Sequence, residues 1–143
     1  MIDTRVQSAP FDVAAETANL TAGRGDIGAV VSFTGLVRGD AGDTLTLEHY
    51  PGMTERMLAN IAAEAETRWG LSGGLVIHRY GVLPVGAPIV LVLTASRHRA
   101  DAFQAAEFLM DWLKVKAPFW KKDANGWVEA QGSDDDAASR WNN

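Results

Sequence analysis

Apolar residues recur at helical spacing in two long stretches of this sequence, and strand-like runs lie between and around them. In residues 53–69 the spacing is typical of an amphipathic helix, and Gly70 follows as a stop signal. A second helical stretch covers residues 100–115, and Pro118 ends it because proline cannot donate to the helical ladder. Two helical periods interrupted by β-branched runs predict an α+β fold.

The predicted strands are rich in β-branched and apolar residues and are separated by turn signals. They cover residues 28–38, 44–50, 75–83, 88–95, 119–123 and 127–130. Asn125-Gly126 predicts a C-terminal hairpin, Pro84-Val-Gly86 a turn, and Asp12 the cap of a short helix over residues 13–20. We therefore expect a mixed or antiparallel sheet with two long helices and a C-terminal hairpin.

The 143 residues fit one domain, 1–143, and their 47% hydrophobic content is ordinary for a globular chain. The loop at residues 39–43 is expected to be mobile. The acidic end, residues 133–143, is expected either to be a loose tail or to fold over the functional pocket through Arg140 and Trp141.

Charge and composition exclude several classes of function. The net charge of −5 argues against a general nucleic-acid binder, which needs a basic surface. No apolar run approaches the roughly 20 residues that span a bilayer, and no secretory signal is visible, so we expect a cytoplasmic protein without a membrane span. Cysteine is absent, so any sulfur chemistry must take its sulfur from another molecule.

The chain has four lysines and nine arginines. All four lysines fall within residues 114–122. A lysine amine can lose its proton when it is desolvated or crowded by cations, so this window is a candidate reaction centre. In the alternative interpretation, Lys114 and Lys116 complement the dipole at a helix end, and Lys121 and Lys122 are simply solvated. Met110 lies one turn before Lys114 and can line the same pocket or fill the core.

Two further groups of cations are candidates for anion binding. Arg97-His98-Arg99 precedes the second long helix, where cations oppose the dipole unless an anion such as a phosphate compensates. The alternative is an exposed trio that points away from the helix axis, or that pairs with Asp101 and the acidic tail. Arg38 ends a strand beside a loop and is either a binding residue or a solvated arginine at the rim.

The remaining polar and aromatic candidates have simpler interpretations. His78 and His49 are expected to be hydrogen-bonded structural residues, and the spacing of the three histidines predicts no metal site. The aromatic residues that flank the lysines are expected to pack locally, which also lowers the dielectric around the amines. These residues are Trp112, Phe119, Trp120 and Trp127.

Five separated motifs together resemble the large, catalytic subunit of molybdopterin synthase. They are Phe33-Thr-Gly-Leu-Val-Arg38, Leu47-Glu-His-Tyr-Pro-Gly-Met53, Ile77-His-Arg-Tyr-Gly81, Ser96-Arg-His-Arg-Ala-Asp-Ala-Phe103 and Leu113-Lys-Val-Lys-Ala-Pro-Phe-Trp-Lys-Lys122. The resemblance covers nearly the whole chain in order, and it implies an α/β-hammerhead-like fold.

The resemblance also implies a sulfurtransferase of molybdenum cofactor biosynthesis. Such an enzyme transfers two sulfurs to cyclic pyranopterin monophosphate and forms the dithiolene of molybdopterin. The sulfur comes from the C-terminal thiocarboxylate of a small ubiquitin-like partner that ends in Gly-Gly, so no cofactor is expected. The implied assembly is a heterotetramer around a homodimer of large subunits, with residues of both copies near the substrate.

Carried onto this sequence, the resemblance implies a site in which Lys114 and Lys121 are catalytic. The substrate-binding residues are expected to be Leu36, Val37, Arg38, His98, Arg99, Met110, Lys114, Lys121, Lys122 and Asp123. Relatives have glutamate where this chain has Asp123, which keeps the carboxylate and shortens its reach. Arg38, His98 and Arg99 are expected to hold the phosphate, while the lysines stabilise charge or move a proton.

Two other functions fit the lysine window. A non-catalytic module that binds an acidic peptide tail predicts partner binding without a change in any pterin. A lysine Schiff-base enzyme predicts an adduct at Lys114 or Lys121 that borohydride traps without a protein partner.

Overall fold

A computed structural model describes residues 1–123, 126–128 and 141 of the chain, apart from the side chains of Asp123, Trp127 and Val128. In chain order the elements are β1 Ile2–Gln7, α1 Val13–Thr21, β2 Ala29–Leu36, β3 Thr44–His49, α2 Met53–Trp69, β4 Gly73–Arg79, β5 Gly81–Pro84, β6 Pro88–Ser96, α3 Arg99–Val115, β7 Phe119–Asp123 and β8 Gly126–Val128. The predicted α+β class is confirmed. No helix in the described part of the chain is long and apolar enough to cross a membrane.

The first sheet has the strand order β1-β4-β6-β2 and carries the main core. β1 pairs with β4 in parallel, and the other two pairings are antiparallel. Because side chains alternate along a strand, one face of the sheet packs on α2 and α3 and the other on α1. The first face contributes Val76 and Val92 to a cluster with Leu58 and Phe108. The opposite face contributes Ile77 and its neighbours.

The second sheet has the order β5-β3-β7-β8, and all its strand pairs are antiparallel. Its small core consists of Val37, Leu47 and Leu83. The predicted C-terminal hairpin is present, with Asp123 opposite Gly126. Sheet two therefore holds the strand that follows the lysine-bearing end of α3.

Both long helices occur where the apolar spacing predicts them. α2 covers the predicted residues and ends at Gly70, whose φ of 56° is a left-handed cap that glycine adopts easily. α3 begins one residue before its predicted start. The Asp12 carboxylate accepts a hydrogen bond from the Ala15 amide at 3.1 Å, which confirms the predicted cap of α1.

The strands differ from the sequence-based predictions at two places. The single strand predicted over residues 75–83 is two strands in different sheets, β4 and β5, because Gly81 with φ 100° turns the chain between them. β1 was not among the predicted strands, although Ile2, Thr4 and Val6 point inward with the two-residue period of a strand. A search for period-two alternation would have found it.

Residues 39–43 form a loop between β2 and β3, as predicted, and hydrogen bonds close it into a turn. The Asp43 amide donates to the Asp40 carbonyl at 3.0 Å, and the Asp43 carboxylate accepts from the Asp40 amide at 2.9 Å. The Asp43 carbonyl accepts from the Val85 amide at 3.1 Å, so the turn is also tied to the connection between β5 and β6.

The predicted acidic tail lies outside the described residues except for Trp141. The Trp141 indole donates to Asp111 at 2.5 Å, its carbonyl accepts from Arg68 at 2.6 Å, and its ring packs edge-on against Trp69 and Phe108. Trp141 thus lines a cleft of about 330 Å³ between α2 and α3. This cleft is not lined by Lys114 or Lys121.

Candidate active site

Lys114 and Lys121 come from two different elements, α3 and β7. Lys114 lies in the last turn of α3, where its charge complements the helix dipole. The Lys116 amide closes the helix on the Trp112 carbonyl at 2.7 Å, and after Pro118 the chain enters β7. Lys121 is the third residue of that strand, opposite Leu47 of β3, and its side chain is half-buried.

The charges of both lysines act on a buried histidine of β4, His78. Burial is the main cause that lowers the pKa of His78 to about 4; the charges of Lys121 and Lys114 contribute to this value, and the hydrogen bond to the Arg79 carbonyl opposes it. Two amines from separate elements therefore share one electrostatic environment. The His78 Nδ1 lies 2.9 Å from the Arg79 carbonyl oxygen, so this nitrogen carries the proton of the neutral ring.

Aromatic contacts fix the start of β7 beside this histidine. The rings of Phe119 and His78 are stacked, with centroids 3.6 Å apart and planes inclined by 16°. On the other side, the ring of His49 lies 6.0 Å from Phe119 and 4.6 Å from Tyr80. Both histidines are hydrogen-bonded, as expected, since His49 also contacts the Thr54 hydroxyl at 3.2 Å.

Leu36, Val37 and Arg38 lie at the same end of the first sheet as His78. In register, His78 pairs with Val90 of β6, and Val90 pairs with Gly35 of β2. Two interstrand spacings place the backbones of His78 and Gly35 about 10 Å apart. The strand end that carries the predicted binding residues therefore lies two strands away from the histidine on which both lysine charges act.

Gly35 is required for this strand end to lie where it does. A Cβ on Gly35 would approach Val90 Cγ1 to 2.7 Å, and the pairing slips by one residue between Gly35 and Leu36. Val37 is then held by two backbone bonds, its amide to Ala87 at 2.9 Å and its carbonyl to the Gly86 amide at 2.7 Å. Arg38 follows with its side chain exposed.

His98 and Arg99 lie at the opposite end of the first sheet and of α3. His98 is the N-cap and Arg99 the first residue of the helix, and both are exposed. Arg99 and Lys114 are fifteen helical steps apart, a distance of about 22 Å along the axis. One chain therefore does not bring His98 and Arg99 to the lysines.

The start of α3 keeps the charge conflict noted in the sequence. Within the described residues, neither Arg97 nor Arg99 forms an ion pair, so the alternative pairing with Asp101 is absent there. His98 makes no side-chain cap, while its carbonyl accepts a hydrogen bond from the Ser96 hydroxyl. The first-turn amides of α3 are thus accompanied by exposed cations, as an anion site requires.

The remaining predicted site residues have varied environments. Met110 is half-buried at the edge of the main core, and Lys122 is exposed on β7 opposite Thr46. The backbone of Asp123 pairs in the hairpin, and its side chain lies outside the described part. Among the described residues no three histidine or carboxylate side chains converge as metal ligands.

Sequence reasoning missed Gly35 and the link between His78 and the lysines. Gly35 carried a signal, because a glycine inside an otherwise β-branched run indicates a bulge or a close approach. No local sequence pattern indicated that His78 lies near the lysines, because β4 and β7 are distant in the chain.

The chain matches the family model described as MoaE protein over residues 6–116. A relative from Mesorhizobium japonicum, the molybdopterin synthase catalytic subunit, is 57% identical and covers 96% of this chain and 91% of its own length. The structure of molybdopterin cofactor biosynthesis protein E from Burkholderia multivorans is 49% identical, has a TM-score of 0.86, and covers 99% of this chain and 97% of its own. Molybdopterin synthase from Staphylococcus aureus is 32% identical, with a TM-score of 0.74 and coverages of 89% and 95%. The chain belongs to the MoaE protein family.

Proposed function

We propose that this chain is the catalytic subunit of a molybdopterin synthase, an enzyme of molybdenum cofactor biosynthesis. In the reaction, two sulfurs move from the C-terminal thiocarboxylate of a small ubiquitin-like partner to cyclic pyranopterin monophosphate. The observation that carries the proposal is the approach of Lys114 and Lys121 to one buried histidine, in a chain that is 57% identical to a catalytic subunit. A cytoplasmic location is part of the proposal.

The chemistry fits amines better than any other group on the chain. The chain has no cysteine, so the transferred sulfur is the partner's, and no cofactor is needed. Once the partner's sulfur is bonded to the pterin as a thioester, water adds to the acyl carbon and gives a tetrahedral intermediate whose oxygen bears negative charge. Collapse of this intermediate breaks the carbon–sulfur bond, leaves the sulfur on the pterin and releases the partner as a carboxylate. The ammonium groups of Lys114 and Lys121 stabilise the negative charge.

The phosphate of the pterin is the proposed ligand of Arg38 together with His98 and Arg99 of a second copy. α3 holds His98 and Arg99 about 22 Å from Lys114, so a second copy must bring these residues to the lysines. An apolar surface suits such a dimer, because Phe33 and Leu36 on the edge strand β2 and Phe103 on α3 are 42%, 56% and 59% exposed. Leu36 and Val37 border the same pocket, which Met110, Lys122 and Asp123 complete.

The small partner has a candidate docking surface next to Lys121. The rings of Tyr50 and Trp120 lie 6.1 Å apart, and both side chains are about half exposed. Contiguous exposed apolar patches often mark sites of protein–protein interaction. A partner bound there, with a Gly-Gly tail directed towards Lys114 and Lys121, gives the proposed heterotetramer of two large and two small subunits.

Mixing the chain with thiocarboxylated partner and cyclic pyranopterin monophosphate tests the proposal. We expect mass spectrometry of the small molecule to show the dithiolene, and the partner to end as a carboxylate. Partner binding with an unchanged pterin would instead identify a non-catalytic module for an acidic tail. An unthiolated partner is the control, because it binds and has no sulfur to give.

A further inference from the structure

His78 lies beneath the lysines, and the chemistry proposed for the site does not use it. It belongs to β4, in which all seven residues are buried. A buried imidazole costs free energy unless its polar atoms are satisfied, and an aliphatic side chain would fill this position more cheaply. Only Nδ1 has a hydrogen-bond partner among the described residues, the Arg79 carbonyl, which fixes the orientation of the ring.

The face of this ring is occupied by Phe119. The two rings lie nearly parallel at 3.6 Å between centroids, closer than the 4.6 Å between the rings of His49 and Tyr80. Phe119 is the first residue of β7, and Lys121 is the third. Because alternate side chains of a strand point to the same face, Phe119 and Lys121 project to the same side of β7.

The stacking of Phe119 on His78 therefore affects the position of the Lys121 amine. When Phe119 is seated on His78, the side of β7 that carries Lys121 faces β4 and the end of α3. Lys114 approaches from that helix end, and the charges of both lysines reach His78. A ring that carried a proton would add a third positive charge between them, and burial prevents this.

We propose that His78 is a positioning residue for Lys121: its ring seats Phe119, and through Phe119 it fixes the β7 side chain that shares the site with Lys114. This inference rests on the proposed function, because it assumes that Lys121 takes part in sulfur transfer. His78 itself touches neither substrate nor partner in this account. The stacked contact between His78 and Phe119 provides this positioning. The hydrogen bond from Nδ1 to the Arg79 carbonyl holds the imidazole ring flat against Phe119.

Four variants separate this role from general stability. His78→Leu fills the space without a ring, Phe119→Leu removes the other half of the stack, and His78→Phe restores an aromatic ring. Ile77→Ala is the matched control, because Ile77 is fully buried on the same strand and faces the α1 side. Measurements of kcat, of KM for the pterin, of the partner Kd and of Tm are made for each variant.

We expect His78→Leu and Phe119→Leu to lower kcat by about tenfold to a hundredfold, as small displacements of a catalytic group do. KM for the pterin and the Kd of the partner should stay within about twofold of the wild type. The interactions that hold pterin and partner equally in the ground state and the transition state are kept in these variants. His78→Phe should recover most of kcat. Ile77→Ala should lower Tm with kcat unchanged. Equal kcat losses in His78→Phe and His78→Leu, or a wild-type kcat in Phe119→Leu, would overturn the inference.

A second measurement does not depend on molybdopterin formation. Limited labelling with an amine-reactive ester, quantified for each lysine by peptide mass spectrometry, reports the environment of Lys121 directly. His78→Leu should change the labelling rate of Lys121 severalfold and leave Lys116 unchanged, because the Lys116 amine lies over Trp112 instead, 5.3 Å from the ring centroid. Unchanged labelling of Lys121 would overturn the inference, whereas an inactive wild type with the expected labelling would count against the proposed function alone.

Discussion

Arg99 and Lys114 lie at opposite ends of α3, about 22 Å apart along its axis, and the helix between them packs firmly on β6. The buried Thr94 hydroxyl donates to the Ala102 carbonyl at 2.7 Å and fixes the first turns of the helix on the sheet. No bend of α3 can therefore bring its two ends to one ligand. If both ends serve one site, that site is formed by two copies of the chain.

Mixing two inactive variants tests this arrangement. Lys114→Ala and Arg99→Ala should each be inactive alone, but a mixed dimer of the two has one intact site. Random exchange in an equal mixture should restore about one quarter of wild-type activity, because half of the dimers are mixed and each has one working site.

The matched control for complementation is a mixture of Lys114→Ala and Lys121→Ala. Each site takes both of its lysines from one copy. Every site in a mixed dimer therefore lacks either Lys114 or Lys121. This mixture should remain inactive. Recovery in the control, or none in the first mixture, would contradict a site shared between copies in this way.

Lys114 and Lys116 offer a direct comparison of the two interpretations of the lysine window. Lys114→Ala should lower kcat by about a hundredfold or more if its charge stabilises the transition state. Lys116→Ala should leave kcat within about twofold, because the Lys116 amine lies over the Trp112 ring instead of beside His78. Steady-state sulfur transfer with saturating partner measures both. Similar kcat values for the two variants would favour a merely solvated helix end.

The buried neutral state of His78 makes stability depend on pH. Its folded pKa of about 4 lies below the unfolded value of 6.5, so the unfolded chain binds the proton first as the pH falls. The stabilisation is complete above pH 6.5 and is lost between the two values. From about pH 7 to about pH 5, urea unfolding should show a loss of about 2 kcal/mol from this group. In His78→Phe that part of the loss should vanish, and an unchanged slope would contradict it.

The helices and the C-terminal hairpin were predictable from the sequence because their signals are local. The apolar spacing of α2 lies within seventeen residues, and Gly70 and Pro118 mark helix ends without reference to the rest of the fold. The split of β4 from β5 was not predictable in this way. The apolar run at residues 75–83 contains Gly81 and is compatible with one strand or with two. Only the packing of the two sheets determines which of these forms.

In the site, too, features that depend on local sequence could be predicted, whereas contacts between distant strands could not. The family resemblance implied that both copies contribute to the site, and the bounds of α3 agree with this because Arg99 and Lys114 lie at its opposite ends. The approach of Lys121 to His78 could not be predicted, because about forty residues separate β4 from β7 in the chain. Contacts between distant strands depend on sheet order, which no local pattern encodes.

The two exposed aromatic surfaces should have separable functions. Trp120→Ala should weaken binding of the small partner by about tenfold to a hundredfold, as the loss of an aromatic anchor does, and leave the dimer intact. Phe103→Ala is the matched control, because it removes a ring of similar exposure at the other end of the molecule and should weaken the dimer instead. Titration calorimetry and sedimentation measure the two equilibria. A partner Kd that responds to Phe103→Ala alone would reverse the assignment.

Gly35 should control the position of Arg38 through its missing side chain. In Gly35→Ala the new Cβ would meet Val90 Cγ1 at 2.7 Å in a buried pair of strands, so the backbone or Val90 must shift. Overpacking of this kind costs about 1–3 kcal/mol of unfolding free energy, and the shifted strand end should also raise KM for the phosphorylated substrate.

A second substitution on the facing strand makes this prediction specific. Val90→Ala removes the Cγ1 atom that the new methyl meets, so the double variant Gly35→Ala/Val90→Ala should regain much of the lost affinity, although the two single changes each destabilise the fold. Gly25→Ala is the control, because a Cβ there meets no atom within 4 Å. Since stability and KM are measured on the same four proteins, an affinity that stayed low in the double variant would show that steric contact with Val90 does not place Arg38.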